Sequence, residues 1–214
     1  FITIACGALS GMHAMVSSGT SPKMVEKETQ VRMIGYGGML MESFVAIMAL
    51  AAAVSLSPGI YFSMNTSTAT MNKLAGPETV AAAPCKTTDD PEHHCEKLAE
   101  VAVANLGVTD AQGRKPTPEW DSWDDNGNPK TYTGAEALER LASDVGEPNV
   151  VSRTGGAPTL SVGIAHILHQ IGGGRAMMGF WYHFAIMFEA LFILSAVDAV
   201  TRVARFQLSD ALGN

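Results

Sequence analysis

The sequence predicts an all-α integral membrane protein with a long extracytoplasmic loop, and three observations carry that prediction. Residues 1–22 contain no Lys, Arg, Asp or Glu. Residues 33–57 and 176–197 each contain one charge, Glu42 and Glu189. The formal charge of −7 is confined to 58–153, where 15 acidic residues face 8 basic ones, and the rest of the chain has 6 of each. A hydrocarbon core of about 30 Å takes roughly 20 apolar residues to cross at about 1.5 Å per residue. The overall 47% hydrophobic content therefore averages two unlike kinds of sequence. No basic patch of the kind that binds nucleic acid is present. The chain begins inside an apolar run and without Met, as expected of an internal fragment, so no signal peptide can be sought in it.

The first stretch, 1–22, is expected to be a discontinuous transmembrane helix. Its middle carries Gly7, Ser10, Gly11 and His13. In lipid every backbone N–H and C=O needs a partner, so a weak point in a spanning helix survives only inside protein or beside a cavity. Broken helices of this kind expose backbone dipoles to substrates and ions in secondary transporters. Gly7 and Gly11 at i,i+4 spacing also suit a small-residue helix contact, and the spacing alone leaves both readings open. The cluster Ser17, Ser18, Gly19, Thr20, Ser21 and Pro22 is expected to end the helix. A short loop over 23–32 follows, with Lys23, Lys27 and Arg32.

The second span is predicted over 33–57. Gly35, Gly38, Glu42, Ala46, Ala49 and Ala53 fall on one face at helical spacing, which is a packing seam in membranes and turns Glu42 into the bundle. The acidic segment 58–153 is expected outside the membrane, with helical stretches around 92–106 and over 134–145, the latter striped by Leu138 and Leu141. The turn-rich 121–128 tempts a calcium-loop reading. With Gly127 in the glycine position, however, Ser122 and Thr133 stand where acidic ligands belong, so it reads as a solvated turn.

Residues 157–171 are amphipathic, with Leu160, Ile164, Ile167, Leu168 and Ile171 on one face and Pro158 in the first turn. The segment is too short to span, so it is expected to be re-entrant or interfacial. The last span is predicted over 176–201, with Trp181, Tyr182 and His183 as an interfacial belt, followed by a cytoplasmic end over 202–214. The positive residues of 23–32 and Arg202 and Arg205 mark both short ends as cytoplasmic, which holds only if 157–171 does not cross.

Carboxylates at membrane depth cost about 2.5–3.5 kcal/mol on insertion scales, a cost that protonation largely removes. Glu42, Glu189 and Asp198 are therefore candidates for proton coupling. Against this, Glu42 also suits an interhelical hydrogen bond, and Asp198 an i,i+4 pair with Arg202. His13 is a candidate for touching substrate or relaying a proton, or a structural histidine. The hydroxyls and amides of Ser10, Ser17, Ser18 and Thr20 suit a substrate carboxylate. In the loop, Cys85, His93, His94 and Cys95 combine metal-ligand types without the usual zinc spacing. A Cys85–Cys95 disulfide is the simpler expectation outside the cell, with free thiols and a metal site as alternatives.

Several blocks carry a family resemblance. They are 1–23, the run Ile34-Gly35-Tyr36-Gly37-Gly38-Met39-Leu40-Met41-Glu42-Ser43-Phe44, Gly155-Gly156-Ala157-Pro158-Thr159-Leu160, and the stretch from Phe180-Trp181-Tyr182-His183-Phe184 through Glu189 to Asp198. In them the chain resembles the carbon starvation protein A (CstA) family, membrane proteins regarded as peptide or pyruvate uptake transporters; the blocks that carry the resemblance leave out 66–101. The resemblance implies a LeuT-like (APC-type) inverted-repeat transporter of which this chain is a fragment holding the sixth to eighth helices. It implies ion-coupled uptake of peptide or pyruvate during carbon starvation, in the inner membrane, by a protein that is not an enzyme. The partners implied are lipid, a small-molecule substrate and the rest of the transporter. No cofactor is implied beyond a coupling proton or sodium ion. Two other classes compete: a membrane-anchored sensor, and an extracytoplasmic metal-binding subdomain on a membrane anchor.

Overall fold

The computed structural model describes residues 11–67, 69–70, 113, 116–124, 126–171 and 174–213, with the side chains of Met12 and Arg175 excepted. The chain forms two compact units, Phe1–Ala46 with Phe188–Asn214, and Ile47–Met187. Both long helices contribute residues to both units.

In the first unit, α1 (Gly11–Met15) passes into a π-helical turn, Val16–Thr20, and then into α2 (Ser21–Met24). The Ser/Gly/Thr/Pro cluster therefore does not end the helix, as its composition suggests, but widens it. Ser17 and Ser18 both donate to the Ala14 carbonyl, at 3.1 and 2.7 Å, so their hydroxyls are satisfied within the helix. Pro22 lies at the start of α2, where its missing N–H costs nothing. The two long helices are α3 (Glu28–Ser55), described here up to Ala46, and the part of α7 (Met178–Leu212) from Phe188 onward. Helix α3 starts five residues before the apolar run, and α7 continues well beyond position 201. Charged and polar residues at their ends are thus helical, as long side chains at a membrane interface allow.

Among the described residues, the second unit is a folded domain. It starts with the last turns of α3, then α4 (Pro58–Asn65), a hairpin of β1 (Glu119–Trp123) and β2 (Pro129–Thr133), α5 (Gly134–Val145) and α6 (Gly156–Ile171). A 3-10 turn, Arg175–Met177, leads into the first turns of α7. The strands pair antiparallel, with Trp120 opposite Tyr132. Asp124 closes the connection by accepting from the amides of Asn126 and Asn128, at 2.9 and 2.8 Å. These bonds hold its carboxyl below the usual carboxylate range.

The strand alternation of β1 turns Trp120 and Ser122 inward and Glu119 and Asp121 outward. Trp120 and Tyr132 join Leu138, Leu141 and Val145 of α5, Ile60 and Met64 of α4, Val162 and Ala165 of α6, and Met178 and Tyr182 of α7 in one core. Helix α5 matches the bounds read from sequence and ends on Gly146, whose φ of 77° allows its N–H to turn back to the last carbonyls.

Two glycines let backbones meet inside this unit. A methyl at Gly59 would overlap the backbone of Thr117 and Pro118, and one at Gly163 would overlap the Ala52 carbonyl. Ser57 caps α4 and also accepts the Glu119 amide at 3.0 Å, which ties the hairpin to the end of α3.

Helix α6 occupies the predicted segment and turns its small, partly polar face to the domain. It buries Thr159, Ser161, Val162, Gly163, Ala165 and His169. Ile171, at the end of the apolar stripe, is 79% exposed, and Leu160, Ile164, Ile167 and Leu168 are only partly covered. Small and polar residues face the domain because only they allow the backbone approach at Ala52. Tyr182 departs from the expected interfacial belt: it is 1% exposed and its hydroxyl is hydrogen-bonded to Glu147. Phe180 and Phe184 remain outside.

Candidate functional site

The candidates for the substrate and ion path fall in the first unit. Gly7 and Ser10 lie outside the described residues, as do Cys85, His93, His94 and Cys95. Gly11 lies in α1, and a methyl there would meet open space, so among the described residues Gly11 makes no small-residue contact. His13 is exposed, and Thr20, at the end of the π turn, is buried. Glu42 is exposed on α3 and Glu189 is half-buried on α7. Asp198 pairs with Arg202 at 2.7 Å, the i,i+4 arrangement that its spacing allows. No hydrogen bond or ion pair joins two of these candidates among the described residues. What the unit does join is its two chain ends. Lys23 pairs with Asp210 at 2.8 Å and lies 5.4 Å over the Phe206 ring, and the Gln207 amide reaches the Met15 sulfur at 3.0 Å.

The second unit holds a polar cluster that the sequence reading missed. Asp144, with a side chain 3% exposed, accepts from Trp120 Nε1 at 3.0 Å and from the Ser122 hydroxyl at 2.5 Å, and faces Arg140 at 3.5 Å. Arg140 also donates to the Trp123 carbonyl at 2.6 Å. On the other side of the hairpin, α6 sets His166 4.8 Å from Trp120 and His169 5.4 Å from Trp123, with 5.3 Å between the two imidazoles. Burial, followed by the neighbouring His169, pushes the His166 pKa down, while Asp121 pulls it up. The signal that would have found this cluster is the period-2 alternation of Glu119-Trp120-Asp121-Ser122-Trp123. Among the described residues, no three His, Cys, Asp or Glu side chains are placed to hold a metal ion.

Helices α3 and α7 are long and apolar enough to cross a membrane, and their most apolar 18-residue windows are only 6% buried by the protein itself. Apolar helices of that length, left uncovered by the protein, suit a membrane protein. Residues 1–117 and 101–214 match the family Carbon starvation protein CstA, so the chain belongs to the carbon starvation protein CstA family.

Among its relatives, the peptide transporter CstA of Escherichia coli K12 is 49% identical over 213 residues, covering 100% of this chain and 25% of the relative. The pyruvate/proton symporter BtsT of the same organism is 47% identical over 214 residues, covering 27% of that protein. The peptide transporter CstA of Bacillus subtilis 168 is 34% identical over 212 residues. The chain thus spans about a quarter of the length of the curated relatives it matches. No solved structure matches it.

Proposed function

We propose that this chain is the part of a secondary active transporter that carries a small carboxylate nutrient, peptide or pyruvate, into the cell with a coupling ion. The observation that supports it most is the placement of one carboxylate in the apolar stretch of each long helix, Glu42 in α3 and Glu189 in α7, both in one compact unit. A carboxylate at that depth is costly when charged and tolerable when protonated, which suits a group that loads and unloads a proton. The relatives' names, peptide transporter and pyruvate/proton symporter, point the same way. A proton is the leading coupling ion and sodium the alternative.

In this reading the protein is a multi-pass inner-membrane protein with a LeuT-like inverted repeat, and it works by transport rather than catalysis. Residues 1–22 form a discontinuous helix. Lys23, Lys27, Arg32, Arg202 and Arg205 lie in the cytoplasm, the 58–153 region lies outside, and α6 is re-entrant without crossing. Gly7, Ser10, Gly11, His13, Ser17, Ser18 and Thr20 supply polar groups to the substrate path, with Glu42, Glu189 and Asp198 as candidate ion carriers. Cys85 and Cys95 form a disulfide in the outer region. Uptake of radiolabelled pyruvate and dipeptide by the full-length protein, with and without a proton uncoupler, tests the reading.

A further inference from the structure

Three side-chain contacts in the first unit join segments far apart in the chain, and all three fall on one stretch of α7. Lys23 of α2 pairs with Asp210 at 2.8 Å and stands 5.4 Å over the Phe206 ring. Gln207 Nε2 donates to the Met15 sulfur at 3.0 Å. Phe206 and Asp210 are four residues apart, so α7 presents them on one face, and Lys23 meets both the ring and the carboxylate. Met15 and Lys23 stand on either side of the π-helical turn Val16–Thr20, so the widened turn is fastened to α7 at both of its ends. Such turns are rare and are frequent at functional sites. The fastening is open to water. The side chains of Lys23 and Asp210 are 44% and 67% exposed, which leaves the pair weak and sensitive to salt. No residue of α2 is buried, and of the π turn only Thr20 is. The other acid in this half of α7, Asp198, is already paired with Arg202.

We propose that Lys23, Phe206, Gln207 and Asp210 form a reversible ionic strap, which holds the 15–24 segment to the end of α7 and releases it when the pair is screened or reversed. The strap itself rests only on the geometry of this unit. Its consequence rests on the transport reading, which places Lys23 and the end of α7 in the cytoplasm. There the strap closes the inner end of the path, and solute leaves when it opens. An exposed pair suits that duty, because a contact remade in every cycle has to break at little cost. A buried pair would hold too firmly, since separating its partners strands a charge away from water.

The test measures the distance between spin labels on an E26C/L212C pair in the full-length protein, reconstituted in vesicles. Both positions are exposed and take no part in the strap. With the native Lys23 and Asp210, a short-distance population is expected at low salt. That population should fall at least about threefold in K23D, where two carboxylates face each other, and return in the charge-swapped K23D/D210K. It should also shrink with the native pair at about 1 M salt, where the Debye length is roughly 3 Å. An unchanged melting temperature shows that K23D is folded. A distance distribution that a folded K23D leaves as it was overturns the strap, and so does a folded charge swap that fails to restore it. Uptake of dialanine and pyruvate in the same vesicles separates the two claims. A K23D inner end that no longer closes should lower accumulation, and K23D/D210K should regain it. Full accumulation in K23D overturns the strap's part in transport. A protein with Lys23 and Asp210 intact that shows the strap but takes up neither solute refutes the transport reading and leaves the strap standing.

Discussion

Gly163 packs its bare Cα against the backbone carbonyl of Ala52, so α6 and the last turns of α3 meet backbone to backbone. The contact explains why the small, partly polar face of α6 is the buried one. A side chain at Gly163 has no room, and the bulky residues of that helix are left on its other side. Gly163→Ala should therefore cost about 1–3 kcal/mol through overpacking. The expected readout is a lower melting temperature of the full-length protein, with Gly156→Ala, whose added methyl meets open space, as a milder comparison.

The hairpin is held to α5 by a buried charge. Asp144→Ala leaves Trp120 Nε1 and the Ser122 hydroxyl without this acceptor and removes the carboxylate facing Arg140, and breaking such a pair costs about 3–5 kcal/mol. Proteolysis within the 47–187 unit under native conditions should become faster in this variant. A variant as resistant as wild type would show that the pair contributes little.

Acid should loosen the same domain through His166. Its folded pKa lies below the ordinary imidazole value, so the native state binds fewer protons than the unfolded one. The contribution is fully present above the ordinary value of about 6.5 and is lost as pH falls through it. Amide exchange in β1 and α6 should rise between pH 7.5 and 5, and His166→Gln should flatten that rise. The charged groups set against His166 are His169 on its own helix, which opposes protonation, and Asp121 on β1, which favours it; Glu119 lies on the same side of β1 as Asp121.

Topology is open to direct labelling. Single cysteines at Lys27 and Ser209 should be shielded from an impermeant reagent in intact cells, and one at Asn126 should react. Labelling at Ser209 would mean that α6 crosses the membrane after all.

Much of this architecture was legible in the sequence, for identifiable reasons. Helix α5 follows from its Leu138 and Leu141 stripe and a terminal glycine, and α6 from its length, Pro158 and the glycines behind it. The apolar cores of α3 and α7 follow from runs holding one charge each, but their ends do not, because Glu28 and Arg205 continue a helix that apolarity alone would stop. The facing of α6 was not legible: its apolar stripe points away from the domain, and the deciding contact at Ala52 is more than a hundred residues away in sequence. The hairpin hid behind a polar turn, although β1 alternates at period 2. The same alternation marks Trp120 and Ser122 as inward-facing, but their pairing with Asp144 across β1 and α5 is set by tertiary packing. For the membrane candidates, the i,i+4 pair of Asp198 with Arg202 was readable from spacing, whereas the π turn at Val16–Thr20 was not.

The central claim is ion-coupled uptake through carboxylates carried on apolar helices. Its most direct test is accumulation of radiolabelled dialanine and pyruvate in proteoliposomes of the full-length protein under an imposed inward proton gradient, for wild type, Glu42→Gln and Glu189→Gln. The account predicts accumulation of at least one substrate above its outside concentration, collapse of that accumulation with an uncoupler, and at least a tenfold loss in one glutamine variant that still inserts normally. Uptake of neither substrate, or accumulation under the gradient that both glutamine variants retain in full, would contradict it.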